Sequence, residues 1–184
     1  MLHPDICVKK SSIEGKGLFS KKRIPKGTIL WRFKDDRVYT KNQRKKFSKK
    51  YKALLKKYGY EDEKNNLIYC TDNAKYWNHS CEPNVAGFNE EMDIAIKNIN
   101  PGEEITYDAG FGRWTCLPIK RCNCGSINCR RTIKKEPENS RIILKLDSLV
   151  KKASKDLLNV KQPLLRKEIS SKLKIKDESI NFSF

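Results

Sequence analysis

The chain has 184 residues, 38% hydrophobic and 34% charged, which suits one globular domain with a polar surface. Its 40 Lys and Arg against 22 Asp and Glu leave a net charge of +18, so a basic surface that contacts nucleic acid or a nucleosome is expected. No run approaches the roughly 20 apolar residues of a membrane span, and no charged-then-apolar leader opens the sequence, so no membrane partner is expected. An intracellular setting follows, cytoplasmic or nuclear and chromosomal, where thiols stay reduced. There, seven cysteines with three of them clustered favour metal ligation over a disulfide framework.

In chain order, Ile6-Cys7-Val8 reads as a strand, Gly15 and Gly17 mark a tight turn, and Pro25-Lys26-Gly27 turns into a strand at Thr28-Ile29-Leu30-Trp31. Phe47, Tyr51, Leu54, Leu55 and Tyr58 recur at helical spacing among lysines, which predicts one amphipathic helix over 41–58 ended by Gly59. Leu67-Ile68-Tyr69-Cys70 returns to strand. Met92 to Ile96 alternates as a half-buried strand should, and Asn100-Pro101-Gly102 turns into Ile105-Thr106-Tyr107. From Ser140 onward Ile142, Ile143, Leu146, Leu149, Val150, Leu157 and Leu158 predict a helix, with Pro163 starting or breaking another. Short strands around a helical insert indicate a β-rich α+β domain. Between residues 82 and 108 seven acidic residues face Lys97 alone, an acidic stretch suited to a cationic peptide.

Gly15-Lys16-Gly17 lacks the third glycine and the strand-to-helix setting of a dinucleotide loop, so that reading fails. Cys122-x-Cys124-x4-Cys129, with Arg121, Asn123, Asn128 and Arg130 around it, is too polar to be core; thiolates within reach of one Zn²⁺ explain the spacing. A fourth ligand is needed, and Cys116 is the nearer candidate in sequence.

Taken together, Glu14-Gly15-Lys16-Gly17-Leu18-Phe19, Asn78-His79-Ser80-Cys81-Glu82-Pro83-Asn84, Gly102-Glu103-Glu104-Ile105-Thr106-Tyr107-Asp108 and the three cysteines resemble the SET-domain protein-lysine methyltransferases. The likeness spans residues 3–133, and Trp31-Arg32-Phe33, Lys57-Tyr58-Gly59-Tyr60 and Cys70-Thr71-Asp72-Asn73-Ala74 look like a compact bacterial-type group with a post-SET cysteine cluster. The resemblance implies a SET-domain fold of short strands, with one segment passed through another near the Asn-His and Tyr segments. The SET domain would span 1–115 with its helical insert at 41–66, a zinc-bound post-SET segment 116–134, and a helical C-terminal extension 135–184.

It further implies methyl transfer from S-adenosylmethionine to the side-chain amine of lysine in a protein substrate, a histone or another basic chromosomal protein. Lys16, Gly17, Phe19, Tyr76, Asn78, His79 and Tyr107 would meet the cofactor, and Cys81 would join Cys122, Cys124 and Cys129 on a structural zinc. Lys75-Tyr76 stands where the family commonly has an arginine and an aromatic. By the resemblance Tyr107 matches the upstream aromatic that commonly tunes how many methyls are added, and Ala109 stands at the tyrosine usually held essential. Tyr107, as the closest hydroxyl, is expected to substitute in catalysis, with Tyr69 and Tyr39 further candidates. The alternative is a catalytically impaired SET domain that binds cofactor or a lysine peptide.

Overall fold

The computed structural model describes residues 1–165 apart from 35, 63, 90, 112–118 and 135–139. In chain order its elements are β1 (Ile6–Lys10), β2 (Lys16–Ser20), β3 (Ile29–Arg32), β4 (Arg37–Tyr39), α1 (Lys41–Lys45), α2 (Lys49–Tyr58), β5 (Gly59–Glu61) and β6 (Leu67–Tyr69). A short 3-10 turn at Asn73–Tyr76 leads to β7 (Asn78–His79), β8 (Val85–Asn89), β9 (Met92–Ala95), β10 (Glu104–Tyr107) and α3 (Arg141–Ser154).

Three small sheets form, in orders β1-β2-β10-β7, β3-β9-β8 and β4-β6-β5. β1 and β2 make a hairpin from Ile6↔Ser20 to Lys10↔Lys16. Its loop closes through the Ser11 N–H on the Gly15 carbonyl at 3.0 Å, with Gly15 at φ +50°, a backbone region that suits glycine. Leu18, Ile24, Leu30, Val85, Ala95, Ile99 and Ile105 form one apolar core. A second lies between the β3-β9-β8 sheet and α3, which buries Ile143, Leu146, Val150 and Ala153. Ser140 caps α3 by accepting the Ile143 N–H at 3.2 Å. Beyond it Leu157, Leu164 and Leu165 join the same core, and Gln162 bridges the Ile29 N–H and the Gly27 carbonyl at 2.9 and 2.7 Å. Residues 166–184, the rest of the expected C-terminal extension, lie outside the described residues.

The single helix expected over 41–58 is two. Thr40 and Gln43 form a capping box on α1, and Ser48 caps α2 by accepting the Tyr51 N–H at 3.2 Å. The chain therefore restarts at Ser48 rather than running through. Tyr39, Phe47 and Tyr51 meet edge to face across the break, with centroids 5.0–6.2 Å apart. Among the described residues no helix is long and apolar enough to cross a membrane.

Candidate active site and metal centre

Two motif-bearing segments meet at one edge of the first sheet. β7 runs parallel to β10, with Asn78 against Thr106 and His79 against Tyr107. The chain then folds round β10. The Ser80 N–H donates to the Tyr107 carbonyl at 2.9 Å, and Asn84 clasps the strand from beyond. Asn84 Oδ1 accepts the Thr106 N–H and its Nδ2 donates to the Glu104 carbonyl, both at 2.9 Å. Only 5% exposed, Asn84 substitutes for a neighbouring strand where a buried backbone would otherwise lack partners.

Gly17 lies on the outer face of this sheet with Phe19 and Glu104, opposite the core-facing Leu18 and Ile105. A Cβ at Gly17 would stand 2.1 Å from Glu104 Oε1 and 3.0 Å from Asn78 Nδ2, so a side chain there would have to push the Glu104 carboxylate aside. Asn78 Nδ2 donates to that Oε1 at 2.8 Å and reaches the Lys16 and Glu14 carbonyls at 3.1 and 3.2 Å. Ser11 Oγ donates to the other Glu104 oxygen at 2.9 Å. The result is an electronegative floor of two carbonyls and a carboxylate. Beside it stand two cations: Lys16 Nζ and Lys75 Nζ lie 5.4 and 5.6 Å from the centroid of the Tyr76 ring, which Tyr58 meets edge-on. Adjacent negative and positive subsites complement the ammonium and carboxylate of an amino-acid moiety.

His79 is buried and its Nδ1 accepts the Ala109 N–H at 2.9 Å. Burial pulls the imidazole down to about 4, so it is neutral at pH 7 and carries its proton on Nε2, which faces Cys81 Sγ at 3.3 Å. Asp108, 2% exposed, accepts from Arg130 Nη2 at 2.5 Å and from the Gly110 N–H at 2.9 Å. Arg130 in turn gives its backbone N–H to Cys81 Sγ at 3.3 Å. The end of β10 is therefore bonded to the cysteine-bearing segment through both His79 and Asp108.

The Sγ atoms of Cys81, Cys122, Cys124 and Cys129 all lie within 4.8 Å of one another. Zn–S bonds of about 2.3 Å would set tetrahedral sulfurs about 3.8 Å apart, so a small contraction suffices. At Cys124 burial opposes ionisation, yet hydrogen bonds involving the Cys81 and Ser126 backbone and the neighbouring thiols outweigh it and bring the thiol to about 7. Burial pushes Cys122 up to about 12. The Arg131 N–H points at Cys129 Sγ at 3.4 Å. The donor set fits a structural metal. The segment is tied down independently by Glu82, which accepts from Ser126 Oγ at 2.6 Å and Asn128 Nδ2 at 2.9 Å.

The SET-domain family model matches residues 15–110, a little over half of the chain. The chain belongs to the SET-domain family. Histone-lysine N-methyltransferase 2B of Homo sapiens is 31% identical over 139 residues, 68% of this chain and 5% of that protein. Histone-lysine N-methyltransferase Set2 of Drosophila melanogaster is 40% identical over 73 residues, 36% and 3% of the two chains. This SET domain thus spans a twentieth or less of the length of these relatives. The solved structure of KRYPTONITE in complex with mCHH DNA, an H3(1-15) peptide and SAH has a TM-score of 0.50 at 22% identity, covering 72% of this chain and 30% of that one; the likeness is one of fold.

Within this SET domain Lys16, Gly17, Phe19, Asn78, His79 and Tyr107 lie on β2, β7 and β10, and Tyr76 ends the 3-10 turn that leads to β7. Phe19 pairs with Glu104 on the Gly17 face, with Lys9 Nζ 5.9 Å from its ring centroid. Tyr107 meets Trp77 edge-on at 6.2 Å. Ala109, 7% exposed, packs against Cys122 and Ile133, so the cysteine segment fills the space beside it. Tyr39 belongs elsewhere: its hydroxyl is 2.8 Å from that of Tyr51 in the insert. Tyr69 lies under Lys75 Nζ at 5.7 Å. Cys116 lies outside the described residues.

Four residues of the acidic stretch are engaged within the fold. Glu82 secures the cysteine segment, Glu103 accepts from Asn84 and from the Asn100 N–H, Glu104 floors the Gly17 site and Asp108 pairs with Arg130; Glu90 lies outside the described residues. Glu104, Asp108, Arg130 and Trp77 are the site residues that motif reading passed over. A signal existed for one of them: Glu104 is the second acid of Gly102-Glu103-Glu104, but only the strand register places it over Gly17.

Proposed function

We propose that this SET domain transfers a methyl group from S-adenosylmethionine to the side-chain amine of a lysine in a protein, with a histone or another basic chromosomal protein as the substrate class. The observation that carries the reading is the double subsite at Gly17, a floor of carbonyls and a carboxylate beside two lysine ammoniums, built where β2, β10 and β7 lie side by side. The relatives named as histone-lysine methyltransferases support it. A nuclear or chromosomal setting accords with that substrate class.

The cofactor supplies an electrophilic methyl on a sulfonium. On this reading Asn78, Glu104 and the Glu14 and Lys16 carbonyls hold the ammonium of its amino-acid end, while Lys16 and Lys75 meet its carboxylate. Lysine lacks the planar fork of arginine, so Lys75 acts as a point charge. Tyr76, His79 and Phe19 border the same site. The substrate amine titrates near about 10.4 in water and must be neutral to act as a nucleophile. Trp77 and Tyr107 form an aromatic wall that disfavours the ammonium, and the Tyr107 hydroxyl orients the neutral amine. Cys81, Cys122, Cys124 and Cys129 would hold a zinc ion saturated by four thiolates, without an open position, so its part is structural. A methyl-transfer assay with labelled cofactor against a cell lysate tests the reading: label should appear on protein only when the SET domain is present. Cofactor binding without any transfer would establish the second reading, an impaired binding module, which Ala109 alone favours.

A further inference from the structure

Residues 41–57 hold nine basic side chains and no acidic one, half of the net charge of the whole chain. Arg44 is engaged, donating to Glu61 Oε1 and to the Asn65 carbonyl. The other eight, Lys41, Lys45, Lys46, Lys49, Lys50, Lys52, Lys56 and Lys57, are all exposed. Among the described residues no carboxylate pairs with any of them.

Their arrangement follows from the helix. At about 100° per residue, Lys49, Lys52 and Lys56 fall within about 60° of one another, and Lys50 and Lys57 form a second row on their flank. Leu55, the buried residue of α2, and the half-buried Tyr51 and Tyr58 lie on the opposite side. The face is rigid. The Tyr39–Phe47–Tyr51 ring cluster fixes α1 against α2, and the Arg44 contacts fix α1 to the β5–β6 loop. Lys52 Nζ donates to the Lys45 carbonyl at 3.0 Å and Lys57 Nζ lies 5.3 Å from the Tyr58 ring centroid, but like charges held at fixed spacing repel and no carboxylate among the described residues offsets that repulsion. A repeating row of point charges, without the forked donors that select a discrete carboxylate, matches a polymer of phosphates. Duplex DNA carries one charge per about 1.7 Å of axis and releases counterions when lysines approach it.

We infer that the exposed lysine face of α1 and α2 binds the phosphate backbone of duplex DNA without reading its sequence. The face belongs to the insert and adjoins the Gly17 site only through Tyr58, which lies under Lys57 and meets Tyr76 edge-on, so the inference does not depend on methyl transfer.

The test is fluorescence anisotropy of a labelled duplex of about 20 base pairs, titrated with the full chain over rising KCl. Replacing Lys49, Lys50, Lys56 and Lys57 with Gln should flatten the plot of log affinity against log salt by up to about 3.6, since each lost phosphate contact removes about 0.9. The control removes the same charge elsewhere, through Lys9, Lys10, Lys120 and Lys152 to Gln, and should flatten it by less than one unit. Circular dichroism melting and calorimetry with S-adenosylhomocysteine check that both variants keep the fold and the other site. Equal losses in the two variants would overturn the inference in favour of diffuse net charge. Competition by polyglutamate at the same charge concentration as the DNA would overturn it in favour of an acidic protein partner.

Discussion

The sheet edge of β2, β10 and β7 and the insert between β4 and β6 are built on opposite principles. At the sheet edge, short polar side chains stand in for backbone: Asn84 completes the hydrogen bonding of β10, Asn78 and Glu104 meet over Gly17, and Asp108 is buried against Arg130. The carboxylates of Asp108, Glu82 and Glu104 there have named partners at 2.5–2.9 Å. In the insert helices one residue, Leu55, is fully buried, aromatic edges supply the remaining packing, and the lysines face water. The first region tolerates almost no change of shape; the second tolerates change of shape but depends on its charge. Substitutions should therefore separate the two cleanly.

The largest effect is expected at the cysteines. Metal content should fall from one zinc per chain to near zero in Cys81→Ser, because structural zinc sites bind with about 10–16 kcal/mol through their full ligand set. Hydrogen exchange should then rise through 119–133 while β1–β2 and the α3 core stay protected, since those bury their own apolar surface. Zinc retained in Cys81→Ser and lost only in Cys116→Ser would break the link between the β7–β10 sheet edge and the cysteine segment. Next comes Tyr107→Phe, expected to cut turnover on the order of 10²-fold with S-adenosylhomocysteine affinity nearly unchanged, as for a group acting mainly in the transition state. Wild-type turnover that survives this change would pass the role to Tyr69 or to a mechanism without tyrosine, because Tyr39 is already engaged with Tyr51. Ala109→Tyr is no simple repair: Cys122 and Ile133 occupy the space beside residue 109, so the larger ring must displace the cysteine segment.

Gly17→Ala sharpens the same contrast. A Cβ 2.1 Å from Glu104 Oε1 forces the flexible carboxylate off Asn78, and a lost hydrogen bond to a charged group costs about 1.5–3 kcal/mol. Calorimetry should show cofactor affinity falling by about tenfold or more, while Gly87→Ala, whose Cβ would meet nothing nearer than 3.9 Å, changes nothing.

How far the sequence carried depends on the same distinction. β1, β3, β6, β9, β10 and α3 follow from apolar alternation, helical spacing and a serine cap, all local signals. The two-residue β7 and the short β4 and β5 exist only because a distant strand offers partners, so no local pattern announces them. The split of the insert at Ser48 was written in its cap, but the aromatic period running through Phe47 and Tyr51 masked it. At the site, Gly17, Asn78 and the cysteines were legible as motifs. The use of Glu104 and Asp108 was not, because acidic residues in a row look alike until register sends one over a glycine and another against an arginine.

In the insert, Leu55→Ala should cost about 2–5 kcal/mol, seen as a lower melting temperature, because it hollows out the main anchor of α2. The four-lysine variant should leave melting unchanged or slightly raised through relief of repulsion. Melting that drops as far in the lysine variant as in Leu55→Ala would show that the charged face is structural and would collapse the contrast.

The smallest effect is electrostatic and lies in β9, where Asp93 pairs in register with Trp31 and Gly87. Burial lifts its carboxyl to about 7 from an unfolded value of 3.8, and Tyr60 and Cys70 nearby feel its charge. Between pH 4 and 7 the folded chain holds this proton and the unfolded chain does not, so stability falls as pH rises through that window and levels off above it. Asn cannot ionise, so Asp93→Asn should match the wild type near pH 5 and melt higher at pH 8. With some water contact left at the site the gap should be about 2–4 °C, corresponding to about 1 kcal/mol. Equal melting differences at the two pH values would mean that Asp93 ionises freely in the fold, and that burial in β9 does not hold its proton.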